Sequence, residues 1–148
     1  MLNEDLIFLN KDFKTDKEFL ENISDELLKK GYVKESFKEA ILKREEEFPT
    51  AIGTIKYNLA IPHTDSKHVN KPGIALVKFN NKCKFKEMCT NNEIGVDIAF
   101  VLLVTEKEKQ VQLLSKLMEI FSQSEFLEKI YKEENSSKIV SLLNDKLI

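Results

Sequence analysis

The sequence has 148 residues, a length that suits one compact domain with a core of its own. Charged residues make up 32% of the chain and apolar residues 42%, and the formal net charge is only -2 at pH 7. Since a nucleic-acid binder would carry a basic patch, this balance argues against nucleic acid as a partner. We therefore expect a single domain over residues 1–148.

The first elements in the chain are predicted to be a strand and a helix. Residues 5–10 are expected to form the strand, and Thr15 with Glu18 matches a capping box at the start of the helix. Gly31 is a plausible stop for this helix. The apolar stripe of the helix is predicted to consist of Phe19, Leu20, Ile23, Leu27 and Leu28.

A second helix is predicted over about 35–47, with Ser36 and Glu39 as its cap. Its apolar positions are Phe37, Ala40, Ile41 and Phe48. The position of this stripe one turn after Ala40 and Ile41 is occupied by Arg44. A buried arginine is uncommon unless it has an anionic partner, so Arg44 is a candidate anion contact. The alternative is a side chain at the edge of the stripe that extends its charged end into water.

Strands dominate the middle of the chain. Residues 50–62 are predicted to form two short strands around a turn at Gly53, and residues 73–79 form another. The run 82–86 alternates lysine with apolar residues, which is typical of a solvated strand face. Residues 96–104 are almost continuously apolar and predict a central strand covered on both faces.

The last third is predicted to be helical. Thr105 with Glu108 matches a capping box for a third helix, whose stripe includes Leu114, Leu117 and Phe121. One turn before Leu114 lies Gln110, which places a polar amide at the inner start of this helix. Two shorter helices follow at about 124–133 and 137–145. The order of strands and helices predicts a three-layer α/β/α domain with a mixed sheet.

Membrane and redox signals are weak. No apolar run approaches the roughly 18–20 residues needed to cross a bilayer, and the N-terminus lacks the basic segment of a signal peptide. Cys83 and Cys89 have poor spacing for zinc and are too few for a disulfide framework. We expect a cytoplasmic protein that does not insert into membranes, with reduced and structural cysteines.

Both histidines of the chain lie in the segment 58-NLAIPHTDSKHV-69. His63 follows a predicted strand, and strand ends and helix N-termini border the ligand crevice of open α/β sheets. A neutral imidazole is available near neutral pH and can form covalent intermediates. Thr64 offers a hydroxyl, and Asp65 could orient the ring or repel an anion; the residues alone leave both roles open.

Structural interpretations compete with this one. A histidine at a strand end is most often a hydrogen-bonded structural residue, and Gln110 is a good helix former without further role. His68 lies in a polar loop and is expected to be exposed. Metal binding by His63, Asp65 and His68 has no supporting ligand pair, so no metal site is predicted.

The segments 44-REEEFPT-50, 58-NLAIPH-63 and 110-QVQLLSKL-117 resemble the IIA component of the sugar phosphotransferase system (PTS), in its fructose–mannitol superfamily. The resemblance covers nearly the whole chain. The REEEFPT segment, the IPHTD that contains His63, and 85-FKEM-88 are most similar to galactitol-type IIA proteins. The resemblance implies an α/β/α sandwich that takes a phosphoryl group from phospho-HPr and passes it to IIB. The IIB component then phosphorylates the sugar during transport through IIC, and no cofactor is implied.

The resemblance also implies site residues. His63 matches the phosphorylated histidine, and Arg44 matches the arginine that supports the phosphohistidine. Gln110 stands where many relatives have a second histidine, so a neutral amide would donate there. Thr50 matches a threonine that is expected to face the site. Since both partners are proteins, the surface around His63 should be shallow and partly apolar, with the rim residues Ile61 and Val69.

Two other functions remain open at this point. A regulatory module of the same fold, such as a nitrogen-type IIA or a domain of a transcriptional regulator, would signal through phosphorylation of His63. An unrelated α/β ligand-binding or hydrolytic domain is the third hypothesis. Against it, the sequence has no glycine-rich phosphate loop and no nucleophile-elbow motif.

Overall fold

The computed structural model describes residues 2–147 of the chain. Its strands and helices are β1 (Ile7–Lys11), α1 (Asp16–Lys29), α2 (Phe37–Glu47), β2 (Ala51–Gly53), β3 (Asn58–Ala60), β4 (Gly73–Lys86), β5 (Glu93–Leu103), α3 (Lys107–Phe121), α4 (Ser124–Lys132) and α5 (Ser136–Leu147). Among the helices of this described range, none has the length and apolar character that crossing a bilayer requires.

One mixed sheet organises the fold, with its strands in the order β1-β4-β5-β3-β2. The pairs β1–β4 and β3–β5 are parallel, whereas β4–β5 and β2–β3 are antiparallel. Helices α1 and α2 pack on one face around Phe19 and Phe37, and α3, α4 and α5 pack on the other around Leu117 and Ile130. The predicted three-layer α/β/α architecture with a mixed sheet is confirmed.

The two central strands follow from the sequence pattern. Every residue of β5 from 96 to 103 is buried, as a run with helices over both faces must be. Strand β4 continues seven residues beyond the predicted end, with an irregular register between Lys78 and Cys83. In its second half Cys83 and Phe85 point inward between exposed lysines, so the interpretation of 82–86 as a solvated strand face is confirmed.

The predicted start and end of α1 are confirmed. Thr15 caps the helix by accepting a hydrogen bond from the main-chain N–H of Glu18 at 3.3 Å. Gly31, with φ of 81°, follows the helix in the left-handed conformation that glycine adopts without strain. The inclusion of Leu28 in the buried stripe is wrong, because Leu27 takes the inward position and Leu28 is 40% exposed.

Two other predicted caps are wrong. Within the described residues Ser36 precedes α2 without a capping bond, and its hydroxyl instead lies 2.7 Å from Nδ1 of His68. The prediction that His68 is solvent-exposed is also wrong, because the residue is half-buried. Helix α3 starts later than Thr105, at Lys107, so Thr105 is outside capping reach.

Candidate functional site

His63 lies three residues beyond the end of β3. Strand β3 runs parallel to β5, and the extended chain continues past it, where Pro62 accepts a hydrogen bond from the N–H of Leu102 at 3.0 Å. Pro62 fixes its own backbone angle and keeps Ile61 extended. The half-buried imidazole therefore lies at the carboxyl end of the strand, where ligand crevices form in open α/β sheets.

A backbone carbonyl orients the imidazole of His63. Its Nδ1 lies 2.8 Å from the carbonyl oxygen of Ile61. Because a carbonyl oxygen only accepts, Nδ1 carries the hydrogen and Nε2 keeps its lone pair. Burial lowers the pKa of His63, the bond to Ile61 opposes this, and the charge of Arg44 lowers the pKa further. The neutral, nucleophilic tautomer is thus favoured at neutral pH.

Asp65 does not take the role of orienting group. Its carboxylate accepts a hydrogen bond from the N–H of Lys67 at 3.1 Å and caps the short turn of residues 66–68. This bond lowers the pKa of Asp65, which keeps the exposed side chain ionised. Thr64 is half-buried beside it.

His63 opens into a cleft of about 570 Å³. The cleft is formed by the end of α2, the segment before β2, His63 itself and the turn between β4 and β5. Its lining residues are Arg44, Glu46, Glu47, Phe48, Pro49, Thr50, His63, Glu87, Met88, Cys89 and Asn91. Three of the predicted site residues, His63, Arg44 and Thr50, therefore meet in one place.

Arg44 is the sole arginine of the sequence and lies in the last turn of α2. Its guanidinium carbon is 4.6 Å from the centroid of the Phe48 ring, a stacking that holds the fork at the cleft. The prediction that Arg44 lies on the buried stripe is wrong, because the side chain is exposed. The inward face of α2 runs through Phe37, Ile41 and Glu45, which follow one i, i+4, i+8 row.

Glu45 is the buried charged residue at this site. Only 4% of its surface is exposed, and its carboxylate accepts two hydrogen bonds from Thr50. The main-chain N–H of Thr50 donates to Oε2 at 2.8 Å, and the hydroxyl donates to Oε1 at 2.8 Å. Burial raises the pKa of Glu45 to about 7, although both bonds oppose this, and the nearby Asp16 raises it further.

This raised pKa predicts a pH-dependent stability. An acid with a higher pKa in the folded than in the unfolded chain stabilises the fold most below its unfolded value, and the contribution is lost as pH rises through the folded value. Folding raises the pKa of the Glu45 carboxyl from 4.5 to about 7. We expect the free energy of unfolding of the wild type, minus that of Glu45→Gln, to fall by about 3 kcal/mol between about pH 4.5 and 7.5. Urea unfolding at several pH values measures this difference, and a constant difference would contradict it.

The apolar rim differs from the predicted one. Ile61 and Val69 are 3% and 6% exposed and belong to the core, so their assignment to the rim is wrong. Two other apolar side chains line the cleft and face solvent, namely Phe48 at 56% and Met88 at 36% exposure. Both line the same cleft because the N–H of Met88 donates to the carbonyl of Ala51 at 2.8 Å, which ties the β4–β5 turn to β2.

The β4–β5 turn also carries Cys89. Cys89 and Asn91 have φ of 72° and 63°, so the turn uses two left-handed residues, and Cys89 is exposed at the cleft. The expectation that both cysteines are structural therefore holds for the buried Cys83 and is wrong for Cys89.

The remaining candidates lie elsewhere. Gln110 is half-buried in the first turn of α3 and, like Thr64 and Asp65, is outside the set of described residues that line the cleft. Within residues 2–147, no group of three or more His, Cys, Asp and Glu side chains is arranged to hold a metal ion.

The comparisons with known proteins agree on one family. A family model described as "Phosphoenolpyruvate-dependent sugar phosphotransferase system, EIIA 2" matches residues 1–146. The galactitol-specific EIIA component of Escherichia coli is 32% identical over 111 residues, which cover 75% of this chain and 74% of that protein. The transcriptional regulator ManR of Bacillus subtilis is 28% identical over 141 residues, which cover 94% of this chain and 20% of the regulator.

A solved structure has the same fold. One chain of the complex of enzyme IIAMTL and phosphorylated enzyme IIBMTL from Escherichia coli matches with a TM-score of 0.77 and 20% identity. The match covers 98% of this chain and 99% of that chain.

Proposed function

The chain belongs to the EIIA 2 family of the phosphoenolpyruvate-dependent sugar phosphotransferase system, and on that premise we propose that it carries a phosphoryl group on Nε2 of His63. Members of this family are phosphotransferase components that carry phosphoryl groups between proteins. The proposal treats residues 1–148 as one IIA domain that acts in the cytoplasm. Its activity requires a phosphorylated donor and an acceptor but no metal or organic cofactor.

The observation that carries this proposal is the hydrogen bond between Nδ1 of His63 and the carbonyl of Ile61. It leaves Nε2 unprotonated and faces the ring into a cleft that a partner's side chain can enter. In the transfer, the P–N bond of the donor phosphohistidine breaks, and its electron pair stays on the donor nitrogen. The lone pair of Nε2 forms the new N–P bond, and the proton stays on Nδ1, where it is hydrogen-bonded to the Ile61 carbonyl.

The phosphoryl oxygens need donors and positive charge as the group moves. Arg44 supplies a planar fork that suits phosphate oxygens, and its stack on Phe48 limits the freedom lost on binding. Thr50 lines the same cleft and supports the Ile61 segment. Gln110, at the start of α3, is the further candidate donor in this proposal. Thr64 and Asp65 belong to the surface beside His63 rather than to the phosphate contacts.

The proposed partners are phospho-HPr as donor and a IIB component as acceptor, with IIC in the membrane. The solved complex of a IIA with a phosphorylated IIB of the mannitol system supports the choice of acceptor by analogy of fold. Exposed Phe48 and Met88 give the cleft an apolar rim with Glu46 and Glu87 beside it, which suits a transient protein interface. The 32% identity to a galactitol-specific component supports an alditol such as galactitol as the transported substrate.

A regulatory role is the second candidate. The 28% identity to ManR extends over 94% of this chain, so the same domain also occurs within a transcriptional regulator. In that role phosphorylation of His63 would change a contact with another protein and would feed no sugar.

Incubation of the protein with phosphoenolpyruvate, enzyme I and HPr tests the proposal. We expect a gain of one acid-labile phosphate in the intact mass at mildly alkaline pH. Addition of a galactitol-type IIB should then remove the phosphate, whereas a mannitol-type IIB serves as the specificity control. A loaded protein that transfers to neither IIB would favour the regulatory role. No gain, with enzyme I and HPr active on another acceptor, would overturn the phosphocarrier proposal.

A further inference from the structure

A continuous path of hydrogen bonds joins the buried carboxylate of α2 to the imidazole of His63. The carboxylate of Glu45 accepts from both the N–H and the hydroxyl of Thr50, each at 2.8 Å. The same hydroxyl oxygen accepts from the N–H of Ile61 at 3.3 Å. The carbonyl of Ile61 in turn accepts from Nδ1 of His63 at 2.8 Å. The path therefore spans α2, the segment before β2, and the end of β3.

This path has a direction that depends on the charge of Glu45. Since the hydroxyl of Thr50 donates to Glu45, its lone pair is free to accept from Ile61. A proton on Oε1 of Glu45 would point at the same hydroxyl oxygen. The hydroxyl oxygen would still accept from Ile61 with its second lone pair, but its hydrogen would turn away from Glu45 and lose its acceptor. The direction observed, in which the hydroxyl hydrogen points at Glu45 and the lone pairs face Ile61, is that of the ionised carboxylate.

We propose that Glu45 is a positioning residue, whose ionised carboxylate holds the Ile61 carbonyl against Nδ1 of His63 and fixes Arg44 beside it. This inference rests on the proposed phosphocarrier function. Arg44 precedes Glu45 in α2, so the buried Glu45 carboxylate that orients the imidazole also positions the guanidinium of Arg44. Positioning of this kind has a large effect on rate, because a displacement of about 1 Å can cost about a hundredfold.

The charged groups around Glu45 come from three elements. A second cleft on its other side is lined by Asp16 and Lys17 from α1, Glu46 from α2 and Lys86 from β4. Asp16 raises the pKa of Glu45, while Lys86 acts on Asp16. Burial first, and then the charge of Asp16, raise the pKa of Glu45 to about 7 against the two bonds from Thr50. The path therefore has its observed direction above neutral pH, and the bond between Glu45 and the hydroxyl of Thr50 reverses as the carboxylate takes up its proton.

The test compares wild type and Glu45→Gln in the rate of phosphoryl uptake from phospho-HPr at saturating donor, between about pH 6 and 8. Dividing the two rates at each pH cancels the titration of HPr. We expect the ratio of the wild-type rate to the Glu45→Gln rate to be near one at about pH 6 and to rise to about tenfold or more at about pH 8. A ratio that stays constant across this range would overturn the inference, whatever its size.

Two further variants separate positioning from folding. Thr50→Val removes the hydroxyl and should slow uptake about as much as Glu45→Gln at about pH 8. Thr50→Ser keeps the hydroxyl and should restore the rate to within about threefold. Asp97→Asn is the matched control, because Asp97 is another buried carboxylate, bonded to the N–H of Asn58 and to Lys82. It is expected to lower the melting temperature while leaving the pH dependence of uptake unchanged.

Nuclear magnetic resonance of the ring nitrogens of His63 tests the inference without any transfer. In the wild type at about pH 8, the Nδ1–H tautomer should predominate. Its population should fall as the pH is lowered through about 7, where Glu45 takes up its proton. Glu45→Gln should show a mixture of tautomers without that step. An unchanged ring spectrum in Glu45→Gln would overturn the positioning role, even in a protein that takes up no phosphate.

Discussion

A His63→Ala variant is expected to gain no phosphate from phosphoenolpyruvate, enzyme I and HPr, whereas the wild type gains one. The reason is that the acceptor atom itself is removed. His63 is the histidine that combines a free Nε2, held by the bond of Nδ1 to Ile61, with a place in the cleft beside Arg44. Intact mass at mildly alkaline pH measures the gain, and mild acid should reverse it.

His68→Ala is the control for this prediction. It removes the other histidine of the chain, whose Nδ1 bonds the hydroxyl of Ser36 away from the cleft. This variant should take up phosphate at close to the wild-type rate. Thermal melts of both variants show whether each is folded. Uptake of phosphate by a folded His63→Ala variant would refute the assignment.

Replacement of Arg44 by alanine is expected to slow phosphoryl uptake by about a hundredfold or more. Arg44 supplies the positive charge and the hydrogen-bonding fork at the cleft, and both are most valuable when charge moves between the two nitrogens. Its loss should cost the fold less than about 1 kcal/mol, since the side chain is exposed and packs by its stack on Phe48. Arg44→Lys keeps the charge without the fork, and its rate of phosphoryl uptake should lie between those of the wild type and Arg44→Ala.

Lys43→Ala is the matched control, because it removes the same charge from the neighbouring exposed position of α2. Its rate should stay within about twofold of the wild type. Stopped-flow or quenched mass measurements give the rates, and urea unfolding gives the stability. If Arg44→Ala lost rate and stability in equal proportion, its role would be in the fold rather than in the transfer.

Periodicity in the sequence predicts most of the fold. The buried run of β5 and the apolar stripe of α1 are strong patterns, because burial on two faces and on one helical face leaves few other arrangements. The caps of α2 and α3 were less predictable. Their capping-box letters at Ser36 and Thr105 are short signals. Ser36 makes a tertiary bond to His68 instead, and α3 begins two residues after Thr105.

The site was predictable in part. His63 and Arg44 stand out in the sequence, because one follows an isoleucine-proline strand end and the other falls at a predicted stripe position, although the structure exposes it. Glu45 was missed because buried acids are rare, although it lies at i+8 from Phe37 on the same face. The rim of Phe48 and Met88 joins residues 40 positions apart and depends on the bond that ties the β4–β5 turn to β2. The sequence around Phe48 and the sequence around Met88 carry no sign of this hydrogen bond.

The unequal surroundings of the two cysteines make the cleft accessible to selective chemical labelling. Burial raises the pKa of the Cys83 thiol to about 12, which keeps it protonated and slow to react with alkylating reagents near neutral pH. Cys89 is exposed on the left-handed turn that lines the cleft of His63. A fluorophore attached there without any engineered mutation would sit beside the transfer site, where the arrival and departure of each partner protein change its surroundings.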